Sequence, residues 1–597
     1  VIYLDIETYC DLDLRKVGLY RYASDPSFRI LMLAWSQGAE GPVYVVEGHQ
    51  ESIETASQWI DDPNVLKVAH NAAFERVCFS SALGLPRGQF LDPSQWEDTM
   101  ALSALAGIPQ SLEKAARAAG VSAKDSAGTR LINLFSKAGK TKDEEPEKWE
   151  QFVEYARQDV RVLKELHGVL PQFPTSHETQ VWRVDQLIND RGIQVDLTMV
   201  EWALEQDKLL RDRASAELRD LLQIDNPGSV VQVRSGLKKL GLPLDNLRAQ
   251  TIKDQLARDD LTQDQRKALE LRTQLALVAS KKYEAMSNRV SPDGRLRGEF
   301  FYHGAHTGRW SGRGVQLQNL PRAQVDSPEA VALDALLGLP ATPQILKGSV
   351  RASFVGPFVV SDYAAIEARV LAWLAREQWA LDAFAGGRDI YVETAKRMGG
   401  LTRAQGKVAV LALGYQGGIN SLKSMGAQGS NEYLARFRDQ WRKANPNIVK
   451  YWSNLEEAFA YGGKVGPVQI EIHGRDRHIV LPSGRRLYYR NCEFSSKWVN
   501  GQLHESWHFD SPRGRMDTYG GRLAENITQA VSRDILADLL VRLEEQGLPV
   551  VGHVHDEVLV EGTDSDKVVE MMRSGPEWSK GLPLDAEAFV TARYRKG

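Results

Sequence analysis

Two short apolar runs that each lead into an aspartate constrain the fold of this chain more than any other feature. Phe358-Val-Val-Ser-Asp362 reads as a buried strand that delivers an acid at its end and then enters an amphipathic helical pattern through Glu367, Arg369 and Trp373. Val550-Val-Gly-His-Val, His555-Asp556 and Glu557-Val-Leu-Val560 read as strand, tight polar turn and strand, a hairpin with Asp556 at its tip. A carboxylate at the end of a buried strand is costly unless something partners it. A structural turn aspartate accounts for either segment alone but poorly for both. Between them Arg403, Lys407 and Leu411 recur every four residues, a drift of only about 40° per step, so they share one helical stripe with Tyr415 at its end. Two cations one turn apart suit a polyphosphate and an aromatic suits a base. A solvated basic helix is the alternative for that stripe taken by itself.

At 597 residues the chain has room for about four domains. Residues 1 to about 172 read as α/β, with strands at 1–4, 30–35 and 65–69, and Pro171 and Pro174 mark a boundary near 172. Residues 176–290 are mostly helical and charge-laced, interrupted by the turn Asn226-Pro-Gly-Ser. From 290 onward Gly-rich loops, strands and long helices alternate without a fixed repeat, a mixed α+β region. No run approaches the roughly 18 apolar residues of a membrane span, and no basic, apolar leader opens the chain. Cys10, Cys78 and Cys492 are too few and too scattered for a disulfide framework or zinc cluster, which favours a reducing, cytoplasmic setting. With 74 Lys+Arg against 78 Asp+Glu, bulk charge does not mark a nucleic-acid binder. Between Lys281 and Arg322, however, eight basic residues face three acids, with His303 and His306 among them, and this stretch is expected to form a phosphate-contacting track. A solvated basic face is the alternative.

A second group of acids lies near the N-terminus. Asp5-Ile-Glu7 sets two carboxylates on one face of a strand. Asn71-Ala-Ala-Phe-Glu75 follows the strand at 65–69, and Tyr155-Ala-Arg-Gln-Asp159 places a phenol and an acid one turn apart on a helix. Each has a bland explanation, Glu75 as a surface acid and Tyr155 as a core aromatic. Together they resemble the three Asp/Glu motifs and tyrosine of proofreading-type 3′–5′ exonucleases, in that family's order and spacing. The resemblance implies an RNase H-like exonuclease domain over 1–172, in which Asp5, Glu7 and Asp159 hold two divalent ions, Glu75 is the second-motif acid, and Tyr155 positions the attacking water. Asp98-Thr99 stands where the family often has a further such pair. The family ordinarily has Asp at the second motif, and Glu75 reaches about 1.5 Å farther.

The later segments, taken in order with His306-Thr-Gly-Arg309-Trp-Ser, Gln316-Leu-Gln-Asn-Leu-Pro321 and Glu525-Asn526-Ile-Thr-Gln529, closely resemble the DNA polymerase I family, also called family A, and most closely its compact phage members. The resemblance covers roughly 180–590. It implies a right-hand polymerase with a helical thumb at 173–290, a first palm part at 291–376, fingers with a family-specific insertion at 377–510, and a second palm part at 511–597. It implies two Mg²⁺ at each active site, with Mn²⁺ as a possible substitute; Asp362 and Asp556 hold the polymerase pair for in-line phosphoryl transfer. Arg403 and Lys407 hold the triphosphate, with Lys407 protonating the leaving group, and Glu367 excludes a 2′-OH. Tyr415 takes the template stacking position, Arg309 and Gln529 read minor-groove acceptors, and Asn526 and His555 contact DNA. Tyr391 and Leu411 complete the nucleotide site, although bacterial relatives have His at the first and relatives commonly have Phe or Tyr at the second. Asn526 stands three residues before Gln529, where the bacterial pattern has four.

The implied partners are primer-template DNA and dNTPs, with no membrane; the chain is expected to act as a monomer in phage genome replication, without a 5′ nuclease domain because the exonuclease-like motifs begin at residue 5. Residues 425–510, with Trp441, Trp452 and Arg485-Arg486, are longer than the corresponding bacterial region. Two other readings stay open. A single-subunit RNA polymerase or primase shares the palm chemistry, but Glu367 and the exonuclease motifs argue against it, and dNTP against rNTP incorporation separates the two. A nucleic-acid-binding protein with an inactive transferase site is opposed by intact Asp362, Lys407 and Asp556, and DNA binding without extension would mark it.

Overall fold

Apolar residues in Ile2, Leu4 and Ile6 alternate with Tyr3, Asp5 and Glu7 to make β1 (Ile2–Tyr9), the central strand of a mixed sheet. A computed structural model describes residues 1–121, 128–171, 176–276, 279–499, 502–511 and 514–597. The expected boundary near 172 lies outside the described residues. The sheet also contains β2 (Arg29–Gln37), β3 (Tyr44–Glu47), β4 (Lys67–Ala69) and β5 (Trp96–Asp98), in the order β3-β2-β1-β4-β5. β1 runs antiparallel to β2 and parallel to β4. Helix Pro146–Val169 buries Phe152, Ala156 and Leu163 against Tyr3, Met32 and Val68 from one face of this sheet.

Helix Leu197–Leu222 packs with helices Gln263–Leu275 and Ala279–Arg289, and Leu218, Val233 and Leu269 give the outer part of this arm a small core of its own. Within the stretch expected to be mostly helical, 263–275 and 279–289 are assigned as helices, with 277–278 outside the described residues. Two short ladders follow, β6 (Ile193–Gln194) with β7 (Arg295–Leu296) and β8 (Phe300–Phe301) with β9 (Ser311–Gly312).

Three cations of the basic stretch are already paired within the protein. Arg289 donates to Glu299 at 2.8 Å, Arg297 to Asp293 at 2.6 Å and Arg295 to Glu561 at 2.6 Å, and the first two arginines are buried. Counting charge along the chain cannot see that its acids, together with one from residue 561, already neutralise three of these cations. His303 is buried and His306 half-buried, and desolvation followed by Arg485 lowers His306 to about 4, so it carries no charge near neutrality.

β10 (Val355–Tyr363) carries Asp362 near its end. Next come β11 (Gly463–Val465), β12 (Val468–His473), β13 (Asp476–Val480), β14 (Arg486–Val499), β15 (Gln502–Ser511) and β16 (Gly514–Thr518), which form one antiparallel meander in chain order. The expected division at 510/511 falls inside this sheet. The ladder from Trp507↔Thr518 to Ser511↔Gly514 is continuous, so the unit runs to Thr518 and the next begins with helix Gly520–Glu545. β17 (Val550–Val554), β18 (Glu557–Glu561) and β19 (Ala586–Arg593) complete an antiparallel sheet of order β17-β18-β10-β19. Helix 520–545 is buried along most of its length, Arg533 and Asp534 included, and it contacts helices 176–191, 366–375 and 446–461. No described helix is long and apolar enough to cross a membrane.

Candidate active site

Strand pairing brings the two aspartates together. Asp362 on β10 lies opposite Glu557 on β18, and the β17–β18 turn supplies His555 and Asp556. The Tyr363 N–H donates to the Asp556 carbonyl at 3.1 Å, which ties the hairpin tip to the end of β10. His555 has φ 60°, the sign that a two-residue hairpin loop needs at its first position, and stands exposed. Burial and then the neighbouring Asp556 raise the Asp362 carboxyl from 3.8 to about 7. Burial also raises Asp556, against the pull of Lys596, His555 and Arg309. Asp362 Oδ1 is buried with no hydrogen-bond partner among the described residues. Crowded carboxylates with an orphan oxygen fit a cation-binding role. One oxygen of the adjacent Glu557 accepts from the Tyr594 hydroxyl, while its Oε2 is buried with no hydrogen-bond partner among the described residues.

Helix Ile366–Ala375 starts directly after β10, with Ala365 at φ 51° making the turn. Its Glu367 accepts from Arg309 Nη2 at 2.6 Å and from the Tyr415 hydroxyl at 3.1 Å. Helix Arg403–Leu413 is started by a Thr402–Gln405 capping box. Arg403, Lys407 and Leu411 all lie on its exposed side, as the four-residue spacing requires. Both cations approach the Tyr391 ring, Arg403 Cζ at 5.3 Å and Lys407 Nζ at 5.9 Å, while Arg403 Nε donates to Asp389 at 2.7 Å. A cavity of about 90 Å³ opens between these helices, lined by Glu367, Leu411 and Tyr415. On helix 520–545, Gln529 donates to Glu525 at 3.2 Å, and Asn526 turns to the Tyr489 hydroxyl at 2.9 Å.

The N-terminal acids also converge. One carboxylate oxygen each from Asp5, Glu7 and Asp159 lies within 4.8 Å of the others. Glu75 stands beside but outside this trio; it is buried, its Oε2 has no hydrogen-bond partner among the described residues, and burial and then Asp5 raise its carboxyl well above the usual range. Asp98 is turned to the backbone, accepting from the N–H groups of Asn71 and Met100 at 2.8 Å each and capping helix Thr99–Leu105. Burial raises the Tyr155 phenol, and Asp159, Glu7 and Asp5 raise it further. A Cβ on Gly128 would fall 2.0 Å from the Tyr155 ring, so glycine is required for this close approach.

The family description "DNA polymerase family A" matches residues 213–594. The DNA polymerase of Bacillus phage SP02 is 36% identical, with 99% of each chain covered. The chain belongs to DNA polymerase family A. It is a DNA-directed DNA polymerase, and members of this family use divalent metal ions, generally Mg²⁺. The thermostable DNA polymerase I of Thermus aquaticus is 26% identical over 50% of the chain and 32% of its own length. The structure of the POL domain of Pol1 from M. smegmatis, in complex with DNA primer-template and dNTP, superposes with a TM-score of 0.62 over 98% of this chain and 95% of that one. At 19% identity, that likeness speaks to the fold.

Sequence reasoning about this family A polymerase missed the groups that hold the site in place. Arg533 donates to Glu178 at 2.6 and 3.0 Å, to Asp534 at 3.2 Å and to the Gly308 carbonyl at 3.0 Å. Arg485 donates to Asp534 at 2.8 Å and to the Thr307 carbonyl at 2.8 Å. This buried network anchors the loop that carries Arg309. Its members come from segments hundreds of residues apart, and no local spacing announces them. Lys596 was also missed, and only its proximity to both aspartates singles it out.

Proposed function

We propose that Asp362 and Asp556 hold two Mg²⁺ and carry nucleotidyl transfer to a primer 3′-OH, and that Asp5, Glu7, Glu75 and Asp159 form a separate 3′–5′ exonuclease centre. The chain then extends and proofreads. The observation that carries the first part is the crowding of Asp362 and Asp556 at adjoining strand ends, with Asp362 Oδ1 buried and unpartnered among the described residues. Bound divalent ions supply Lewis acidity to the attacking hydroxyl and offset the charge of the triphosphate. Arg403 and Lys407 grip triphosphate oxygens, Arg403 exchanging its contact with Asp389 for them, and Lys407 delivers a proton to the departing pyrophosphate. Tyr391, between those cations, contributes a neutral hydrogen bond.

Glu367 closes the floor beneath the sugar, held there by Arg309 and Tyr415. A pocket that rejects one added hydroxyl is worth ~1–3 kcal/mol, so Glu367→Ala should raise the rNTP/dNTP incorporation ratio by about 10- to 100-fold, read by single-nucleotide extension. An unchanged ratio removes Glu367 as the gate. Tyr415 meets the template base, with Arg309, Gln529, Asn526 and His555 along the primer-template duplex. The reading assigns 1–172 to an RNase H-like exonuclease unit, 173–290 to a thumb, 291–376 together with 520–597 to a palm, and 377–518 to fingers with the six-stranded insertion. The order β3-β2-β1-β4-β5 and the Asp5–Glu7–Asp159 trio support the exonuclease assignment. The phage origin of the SP02 relative supports a role in genome replication.

The two halves separate in one experiment. Extension of a matched primer and removal of a mismatched 3′ nucleotide are followed side by side in Mg²⁺. Glu75→Ala should slow removal by about 10- to 100-fold, the effect of losing a group that supports a metal site, with extension unchanged. Removal at the wild-type rate would take Glu75 out of the exonuclease centre.

A further inference from the structure

Among the described residues one further set of side chains can converge on an ion, and it lies on the six-stranded sheet, away from both carboxylate centres: Glu471, His473 and His478. Strand register builds it. Glu471 and His473 are two apart on β12 and so face the same side, and His478 on β13 stands directly opposite Glu471. One donor atom from each lies within 4.8 Å of the other two. His473 Nε2 and Glu471 Oε2 are 3.4 Å apart, long for a hydrogen bond. It is close to the ~3.3 Å that separates two ligands of a tetrahedral ion with bonds of ~2.0 Å. The two imidazoles stack with centroids 4.3 Å apart, and Tyr488 braces His478 edge-on at 4.6 Å. His478 Nε2 is buried without a hydrogen-bond partner among the described residues, so a ligating nitrogen there displaces no protein contact. Asp476, on the same face, is already held by Arg490 at 2.7 Å and does not join the set.

We propose that Glu471, His473 and His478 bind a borderline transition-metal dication such as Zn²⁺ through two imidazoles and one carboxylate, with the remaining position open to water. Imidazole donors select this class over Mg²⁺, which the all-oxygen sites prefer. Bound there, the ion ties β12 to β13 and fixes His478 against Tyr488. Tyr488 in turn sits where the N-terminal unit meets the sheet: a Cβ on Gly107 would come 2.8 Å from Tyr488 Cβ, and Arg490 donates to the Ala106 carbonyl at 2.8 Å. The site therefore braces the contact between the two units. Arg486, 3.7 Å from Glu471, competes with the ion for that carboxylate.

The test uses the full chain in excess Mg²⁺, which occupies the all-carboxylate sites, titrated calorimetrically with Zn²⁺. One equivalent should bind. His473→Ala and His478→Ala should weaken it by at least 100-fold, more than the loss of a supporting outer-shell group. Arg486→Ala should tighten it by roughly 3- to 10-fold by removing a competing cation. With Co²⁺ as the probe, the wild-type chain should show the visible absorption of a four-coordinate ion and His473→Ala should not. The His473 side chain is 54% exposed, so its truncation leaves the sheet intact, and primer extension by this variant should match wild type. Equal zinc stoichiometry and affinity in wild type and His473→Ala would overturn the proposal.

Discussion

Asp362→Asn is expected to slow primer extension by about three to four orders of magnitude and yet to stabilise the chain in the absence of divalent metal. The first effect follows from removing one of two anionic donors at a site whose metal ions are worth several kcal/mol of transition-state stabilisation, about 1.4 kcal/mol per tenfold. The second follows from the crowding. Burial and Asp556 raise the folded-state carboxyl from 3.8 to about 7. An acid whose folded pKa exceeds its unfolded value binds more protons when folded, so metal-free stability falls as pH rises through that window and stays low above it. Asparagine cannot ionise and removes the slope. With EDTA near pH 8 the variant should melt higher, by on the order of 1–3 kcal/mol after allowance for partial exposure, while near pH 4 the two chains should agree. Mg²⁺ should restore wild-type stability and act more weakly on the variant. Single-turnover extension and thermal melts at both pH values check the pair of effects. Equal melting in EDTA near pH 8 would mean that the two carboxylates are not in conflict, and extension at the wild-type rate would remove Asp362 from the site.

The same aspartates explain what was legible beforehand. An acid at the end of an apolar strand is anomalous on local grounds, so Asp362 and the Asp556 hairpin could be read from their own neighbourhoods, as could the exposed stripe of Arg403, Lys407 and Leu411 from its spacing. Asp5 and Glu7 followed from strand alternation, whereas their meeting with Asp159 on helix 146–169 needed family order as well. Arg289, Arg295 and Arg297 were misjudged because charge density says nothing about pairing, and their acids sit on the turn at Asp293, just before β8 at Glu299 and at the end of β18. The division at 510/511 failed because nothing in the local sequence marks the end of a sheet, and only the ladder to Thr518 shows that the sheet continues. Asp98 was set beside the exonuclease acids by position in the chain, but its backbone bonds give it a capping task that sequence order does not distinguish.

Arg533→Met should be the most damaging substitution for stability, by ~3–5 kcal/mol, because it strips the cation from carboxylates that remain buried. Arg533 and Glu178 are both buried, and Asp534, which Arg533 shares with Arg485, is buried with them. Burial is the largest influence on Glu178 and pushes its carboxyl up, but Arg533, with Arg485 and Tyr302, brings it down to about 2. A depressed folded-state pKa contributes stability above the unfolded value of 4.5 that is lost as pH falls through about 2. Without Arg533 the burial influence is opposed only by Arg485 and Tyr302, the carboxyl rises, and the sign reverses: mild acid should stabilise Arg533→Met while it destabilises wild type. Replacing the pair, Arg533→Met with Glu178→Met, should recover at least half of the loss, since an apolar pair of similar bulk avoids the stranded charge. A chain with several cores need not unfold in one step, so hydrogen exchange in helix 520–545 and in the loop 302–310 is the appropriate measure. The loop should open first, because Arg533 holds the Gly308 carbonyl and Arg485 holds that of Thr307. Its opening displaces Arg309 from Glu367, so sugar discrimination should weaken in Arg533→Met at temperatures where the chain is still folded. Wild-type exchange in both segments would show that the network carries no stability, and an acid response of the same sign in both chains would show that Glu178 is not held by Arg533.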